Sequence, residues 1–274
     1  MHSDKSNPPI SNFLRRFTFV ETMVLVVAGL GLFAMPEIFR PLWAWEIAPF
    51  SAAFLGAIYI SAMIPIAQMY FMGRWSPTRV VLRAIFTFTF IVLLASLYHV
   101  ATFDFSRPSV WIWFALYVAL PASGGYHLWL YRSMPTDHLP AVPKRWGHIL
   151  NVTAAMLALY GAGLIFRHDV FSSLFPWKLD AFHSHLYSAT FLTGAVLMVS
   201  AAKIATRAEF FAVGMTEATF GGFSILGLFV VDARVQKIDW AATNTVSWVV
   251  LLGILTLLGF AMIVAAFRME KPKA

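Results

Sequence analysis

Apolar and polar positions alternate along this chain on a long period. Eight stretches are nearly free of charge: 17–35, 50–72, 79–103, 109–131, 148–167, 182–203, 208–231 and 241–267. A hydrocarbon layer ~30 Å thick needs about 20 apolar residues of helix to cross it. Each run is long enough for one crossing, and the connections between runs are too short for a soluble domain. The pattern predicts an all-α integral membrane protein of eight transmembrane helices.

The first run ends at Met35-Pro36, and the stretch LWAWEIAPF (42–50) follows as an elbow. Residues 37–47 are expected to form a short helix lying along the membrane surface. A second elbow, LFPWKLDAF (174–182), holds the same place between two later runs. Laying residues 25–59 over 157–191 without a gap pairs Leu25 with Leu157, Gly29 with Gly161, Gly31 with Gly163 and Leu32 with Leu164. It also pairs Phe39 with Phe171, Leu42 with Leu174, Trp45 with Trp177, Phe50 with Phe182 and Ala57 with Ala189. The expected organisation is a segment 1–16, a four-span repeat 17–131, a linker 132–147, a second four-span repeat 148–268 and a tail 269–274. Four spans per half make the two repeats parallel, since both then enter the membrane from the same side. The elbow indoles Trp43, Trp45 and Trp177 are expected to anchor at headgroup level, apolar body inward and N–H toward water.

Composition supports the membrane assignment. Of 274 residues, 59% are apolar and 12% are charged, about half the charge of an ordinary soluble domain. The net charge of +7 does not point to nucleic acid, because the basic residues stand at the ends of apolar runs. With the N-terminus in the cytoplasm, fourteen Lys and Arg fall on that side. Six fall outside: Arg40, Arg107, Arg167, Lys178, Arg234 and Lys237. That bias places both termini in the cytoplasm. No cleavage site of small residues follows the first run, which reads as a retained span. The chain has no cysteine, which excludes disulfides, thiolate metal sites and cysteine nucleophiles. The stretch WEIAPFSAAFLGA (45–57) resembles that of uncharacterised bacterial multi-span membrane proteins. The resemblance covers the elbows alone and implies a bacterial inner-membrane location but no activity.

Among residues that could carry chemistry, Glu217 stands out. It lies about ten residues into the seventh run, roughly 15 Å deep at ~1.5 Å per residue. Gly221 and Ser224 follow on the same helical face. An intramembrane carboxylate is a functional candidate by default; the alternative is a protonated glutamate hydrogen-bonded to a neighbour. The fourth run is broken by Pro121 and by Gly124-Gly125, which free backbone groups in mid-membrane. Glu21 and Arg83 are expected at similar depth and are paired here as a structural ion pair.

The histidines fall into two layers, His99, His183 and His185 near the outer face and His127 and His148 near the inner one. Two imidazole layers are what a two-haem membrane protein needs. His99, His183 and His185 with Asp104 or Asp180 also have the residue types for zinc or copper. Against this, His183 and His185 are two residues apart on one helix and face different ways. There is no HExxH, phosphate loop, dinucleotide fingerprint or GxSxG, and the reading leans away from an enzyme. The expectation is a small carrier or permease with no cofactor, moving an apolar or weakly ionic small molecule, with its site near Glu217, Gly221, Ser224, Pro121 and Gly125. The alternatives are a membrane redox protein with haem or metal, and a non-catalytic subunit of a larger membrane complex. The expected partners are the lipid bilayer and that apolar molecule.

Overall fold

In a computed structural model, which describes residues 7–134, 144–203 and 205–269, the chain is helical throughout, with no strand among the described residues. The eight expected runs become eight long helices. They are α1 (Asn12–Ala34), α3 (Pro49–Met72), α4 (Trp75–Tyr98), α5 (Pro108–Leu130), α6 (Lys144–Phe166), α8 (Ala181–Lys203), α9 (Arg207–Val235) and α10 (Thr243–Arg268). Two short helices, α2 (Pro36–Leu42) and α7 (His168–Phe171), lie in the elbows. Most of the linker expected at 132–147 and of the tail at 269–274 lies outside the described residues, as do Met1 to Ser6.

Seven helices, α1, α3, α4, α6, α8, α9 and α10, are long and apolar enough to cross a membrane. The expectation of eight is therefore carried by hydropathy for seven. The remaining helix, α5, has 23 residues but is diluted by Trp111, Trp113, Tyr117, Pro121, the two glycines and His127. The chain is a multi-pass helical membrane protein.

Local signals set the helix ends. Ser11 caps α1 by accepting from the Leu14 N–H at 3.1 Å. Pro36, Pro49 and Pro108 open α2, α3 and α5, where the absent N–H has no partner to lose. Thr206 and Glu209 form a reciprocal capping box at the start of α9. At its other end, Asp232 accepts from the Lys237 and Ile238 N–H groups and the Trp240 indole, which fixes the turn into α10.

Burial separates centre from periphery. In α3, 78% of the span is buried and in α8 67%, against 33% in α1 and α6 and 28% in α10. The two central helices are also the ones richest in small residues near their starts, Ser51-Ala52-Ala53 and Ser184 to Ala189. Each central helix packs on a peripheral one before it, α3 on α1 and α8 on α6, and each lies along a helix from the other half, α3 on α9 and α8 on α4. Apolar side chains such as Val27, Leu159, Phe166 and Leu257 cover the outside. That surface suits lipid, where water would penalise it.

The two elbows are built alike. The Phe39 ring lies where a side chain on Gly31 would go, and the Phe171 ring does the same over Gly163. Each short helix is thereby folded back onto the end of its long one. The elbow tryptophans, expected at headgroup level, turn their rings toward the bundle. Trp45 is 2% exposed and packs edge-on to Trp113 and Phe182, with ring centres 4.7 and 5.1 Å away. Trp177 stacks on Phe50 and donates to Ser51 Oγ at 3.3 Å. Trp43 is half-buried between Trp45, Tyr59 and Trp113. The elbows turn inward over the starts of α3 and α8, so their rings meet core side chains before they can meet headgroups.

Candidate functional site: an apolar cavity with two carboxylates

A cavity of about 600 Å³ is lined mostly by the first half of the chain and also by α6, α8, α9 and α10. Its wall is overwhelmingly apolar. α1 contributes Phe17 to Ala28, α3 Ile58 to Ile66, α4 Val80 to Thr89 and α5 Ser109 to Leu120. α8 adds Thr190 to Leu197, and α9 Ala212 to Phe220. Two carboxyl groups reach it from different sides, Glu21 on α1 and Glu217 on α9. Glu21 is 8% and Glu217 3% exposed, and neither has a hydrogen bond or ion pair among the described residues. Gly194 on α8 makes room for Glu217, whose Oε1 would lie 3.6 Å from a methyl placed there.

Other polar atoms line the same space. The Tyr59 and Tyr117 hydroxyls share a hydrogen bond of 3.1 Å. Thr190 Oγ1, Thr193 Oγ1 and Trp43 Nε1 are buried, line the cavity and have no partner. Buried polar groups are nearly always paired in native structures, and with Glu21 and Glu217 these three bring to five the polar side chains without a hydrogen bond around this space. In the second half, the neighbourhood of α6 and α10 is filled by aromatic packing of Tyr160, Phe175 and Phe191 around Trp248.

The structure redistributes the expected site residues. Glu217 is in the cavity, but its expected companions are not. Gly221 is pressed against Leu252 and Thr256 of α10, and Ser224 is buried outside the cavity wall with its hydroxyl unpaired. Pro121 is buried in a helix that runs unbroken from Pro108 to Leu130. Gly125 lies against the Phe86 ring. Gly125 thus serves the α4–α5 contact. The expected Glu21–Arg83 ion pair does not form. Arg83 is exposed and reaches Ser200 on α8 at 3.4 Å, while Glu21 turns into the cavity.

A different ion pair holds the end of the bundle near the N-terminus. Arg79 on α4 grips Glu209 on α9 with two hydrogen bonds, 3.0 and 2.9 Å, and Glu209 is fully buried. The pattern Thr206-x-x-Glu209 just before an apolar run signals the start of α9, but nothing in it points to Arg79. Tyr59, Tyr117, Thr190 and Thr193 carried no such signal, because only the tertiary fold brings them together.

The histidines divide among separate tasks. His99 Nε2 and His185 Nδ1 are directly hydrogen-bonded at 2.9 Å, with the exposed His168 ring 5.7 Å from His185. His183 faces elsewhere: its Nδ1 meets Asp180 at 2.9 Å and its Nε2 accepts from the Trp45 indole at 3.1 Å. His127 bonds the Ser123 carbonyl of its own helix at 2.8 Å and stacks on Phe13. His148 is exposed on α6. Among the described residues, His99 and His185 are bonded to each other, and His127 and His183 to other groups of the protein. Among the described residues no three His, Asp or Glu side chains converge as metal ligands. Burial holds His99 below its usual 6.5, with His168 adding in the same direction and Asp180 opposing. Burial raises Asp180, but the hydrogen bonds from His183 outweigh it and hold the carboxyl below 3.8.

Comparison with models of known protein families, with curated proteins and with solved structures returned no match.

Proposed function

We propose that this chain is a small carrier or permease for an apolar or weakly ionic small molecule, and that the cavity is its binding site. One observation carries the reading: Glu21 and Glu217, on different helices, both face a ~600 Å³ apolar cavity without a partner. A carboxylate removed from water costs several kcal/mol. Such groups persist inside membrane proteins chiefly where a ligand, ion or proton uses them. The volume falls within the 300–1,000 Å³ range of small-molecule sites.

The same reading includes the finer architecture. α5 is the eighth span, the halves 17–131 and 148–268 are parallel repeats, and both termini are cytoplasmic in a bacterial inner membrane. The distribution of basic residues supports the orientation. The matched elbows and the crossed packing of α3 on α9 and α8 on α4 support the repeat.

The test begins with organic extraction of protein purified in mild detergent and mass spectrometry of the extract. The expected result is one apolar species in stoichiometric amount. An extract holding only bulk lipid from the wild type, with no flux of any tested apolar solute in proteoliposomes, contradicts the proposal.

A further inference from the structure

We infer that the ligand of this cavity is a lipophilic cation, an apolar body bearing one ammonium group, and that it enters from the lipid between α1 and α5; the inference rests on the carrier reading above. The route follows from what the mouth of the cavity is made of. α1 and α5 meet at the N-terminal end of the bundle, where Phe13 stacks on His127 and the Ser11 N–H bonds the Tyr131 hydroxyl at 2.9 Å. Farther along, Val20 and Val27 of α1 and Ile112 of α5 line the cavity and are at the same time 57, 59 and 60% exposed. A residue can do both only at an opening. These three face outward from the bundle with the rest of the apolar surface, so the opening leads to hydrocarbon. Leu42 and Trp43 of the elbow roof it over.

The class of ligand follows from charge. Glu21 and Glu217 bring two carboxyl groups to the wall, and among the described residues no Lys, Arg or His lines it. An anionic head would meet two carboxylates with nothing to balance them. A neutral molecule would leave both unpaired in low dielectric. An ammonium group pairs with them and also gains from ring faces, since cations are attracted to the faces of Trp and Tyr. Trp43, Tyr59, Trp113 and Tyr117 all border the space. The remaining wall takes the apolar body.

The experiment uses the full chain in nanodiscs of phosphatidylcholine, which has no net charge to gather cations. A dodecyltrimethylammonium carrying a diazirine on its chain is photolysed on the protein, and labelled peptides are mapped by mass spectrometry. Unlabelled dodecyltrimethylammonium, dodecanol and dodecanoate serve as competitors. The expected result is labelling of α1 and α5 around Val24 and Ile112, removed by the cation and not by the alcohol or the carboxylate. Glu21→Gln and Glu217→Gln should each weaken half-saturation by about thirtyfold or more, the low end for losing one partner of a buried charge pair, and Glu217→Asp should keep most of the affinity. Ile112→Trp should slow labelling by narrowing the mouth.

If dodecanol competes as well as the cation, the ligand is neutral, and the cation inference is overturned while the carrier reading stands. If no probe labels the cavity, both fall. The competition series uses wild-type protein alone, so it decides the question even where a variant does not fold.

Discussion

Trp45 donates its indole N–H to Nε2 of His183, 3.1 Å away, and so ties the first elbow to the start of α8. Trp177, the residue aligned with Trp45, donates to Ser51, the residue aligned with His183 at the same offset. Each elbow thus reaches across to the central helix of the other half. The first bond also fixes the His183 tautomer: Nε2 accepts, so Nδ1 carries the proton and donates to Asp180. Trp45→Phe removes a buried donor and part of a packed ring. We expect a loss of about 1–3 kcal/mol in stability, read as a lower melting temperature in detergent. Trp177→Phe should cost less, because its bond is longer and the ring is half-buried. Equal effects from the two would contradict the distinction.

The Arg79–Glu209 pair makes a sharper stability prediction. Removing one partner leaves a buried charge, which costs ~3–5 kcal/mol. Arg79→Met should therefore unfold much of the protein or prevent its recovery from membranes. Arg79→Met with Glu209→Leu should restore a large part of the loss, since a packed apolar pair is an acceptable substitute. Yields and melting temperatures of the single and double variants check this, and a double variant no better than the single would refute it.

The elbow end should be sensitive to mild acid. His99 has its folded value below 6.5, so the fold favours the neutral ring. Its contribution is fully present above pH 6.5 and is lost as pH falls below that value. Asp180 lies below 3.8, so its contribution is lost only in much stronger acid. Melting temperature should thus decline as pH falls below 6.5. His99→Gln should flatten this part of the profile, and an unchanged slope would contradict the assignment.

Two glycines of α10 should respond oppositely to alanine. A methyl on Gly259 would collide with the backbone at Ala218 and lie 2.6 Å from the Gly214 carbonyl oxygen, whereas a methyl on Gly253 meets nothing within 4 Å. Gly259→Ala should force α9 and α10 apart and cost about 1–3 kcal/mol. Gly253→Ala should be neutral or gain up to ~1 kcal/mol from helix propensity. Thermal melts of the two variants in one detergent make the comparison.

Much of the fold was legible in the sequence, and the reason is physical. A membrane demands long uninterrupted apolar helices, so expected run and observed helix differ by only a few residues, as in 50–72 against Pro49–Met72. The repeat showed because Gly31 and Phe39 must be kept together for the elbow to fold. What composition could not supply was direction. An elbow tryptophan suits a headgroup and a core equally well, and Trp45 went to the core. Ser51 and His183 differ in type, so the alignment did not show that they receive equivalent bonds. Arg79 was counted with the orientation charges, because the Thr206-x-x-Glu209 pattern marks a helix start and not a partner on another helix. The cavity draws on all but one of the helices, and no spacing along the chain predicts such an assembly. Glu217 was found because depth alone makes a carboxylate unusual. Glu21 was assigned to Arg83 because depth does not tell which way a side chain faces.

The most direct measurement is flux in proteoliposomes of the molecule recovered from the purified protein, compared among wild type, Glu217→Gln and Glu46→Gln, the last being an exposed glutamate of the elbow. The account predicts that Glu217→Gln abolishes flux while melting at a higher temperature, since an unpaired buried charge is removed at a gain on the order of 1 kcal/mol, and that Glu46→Gln behaves as wild type. Wild-type flux through Glu217→Gln would contradict it.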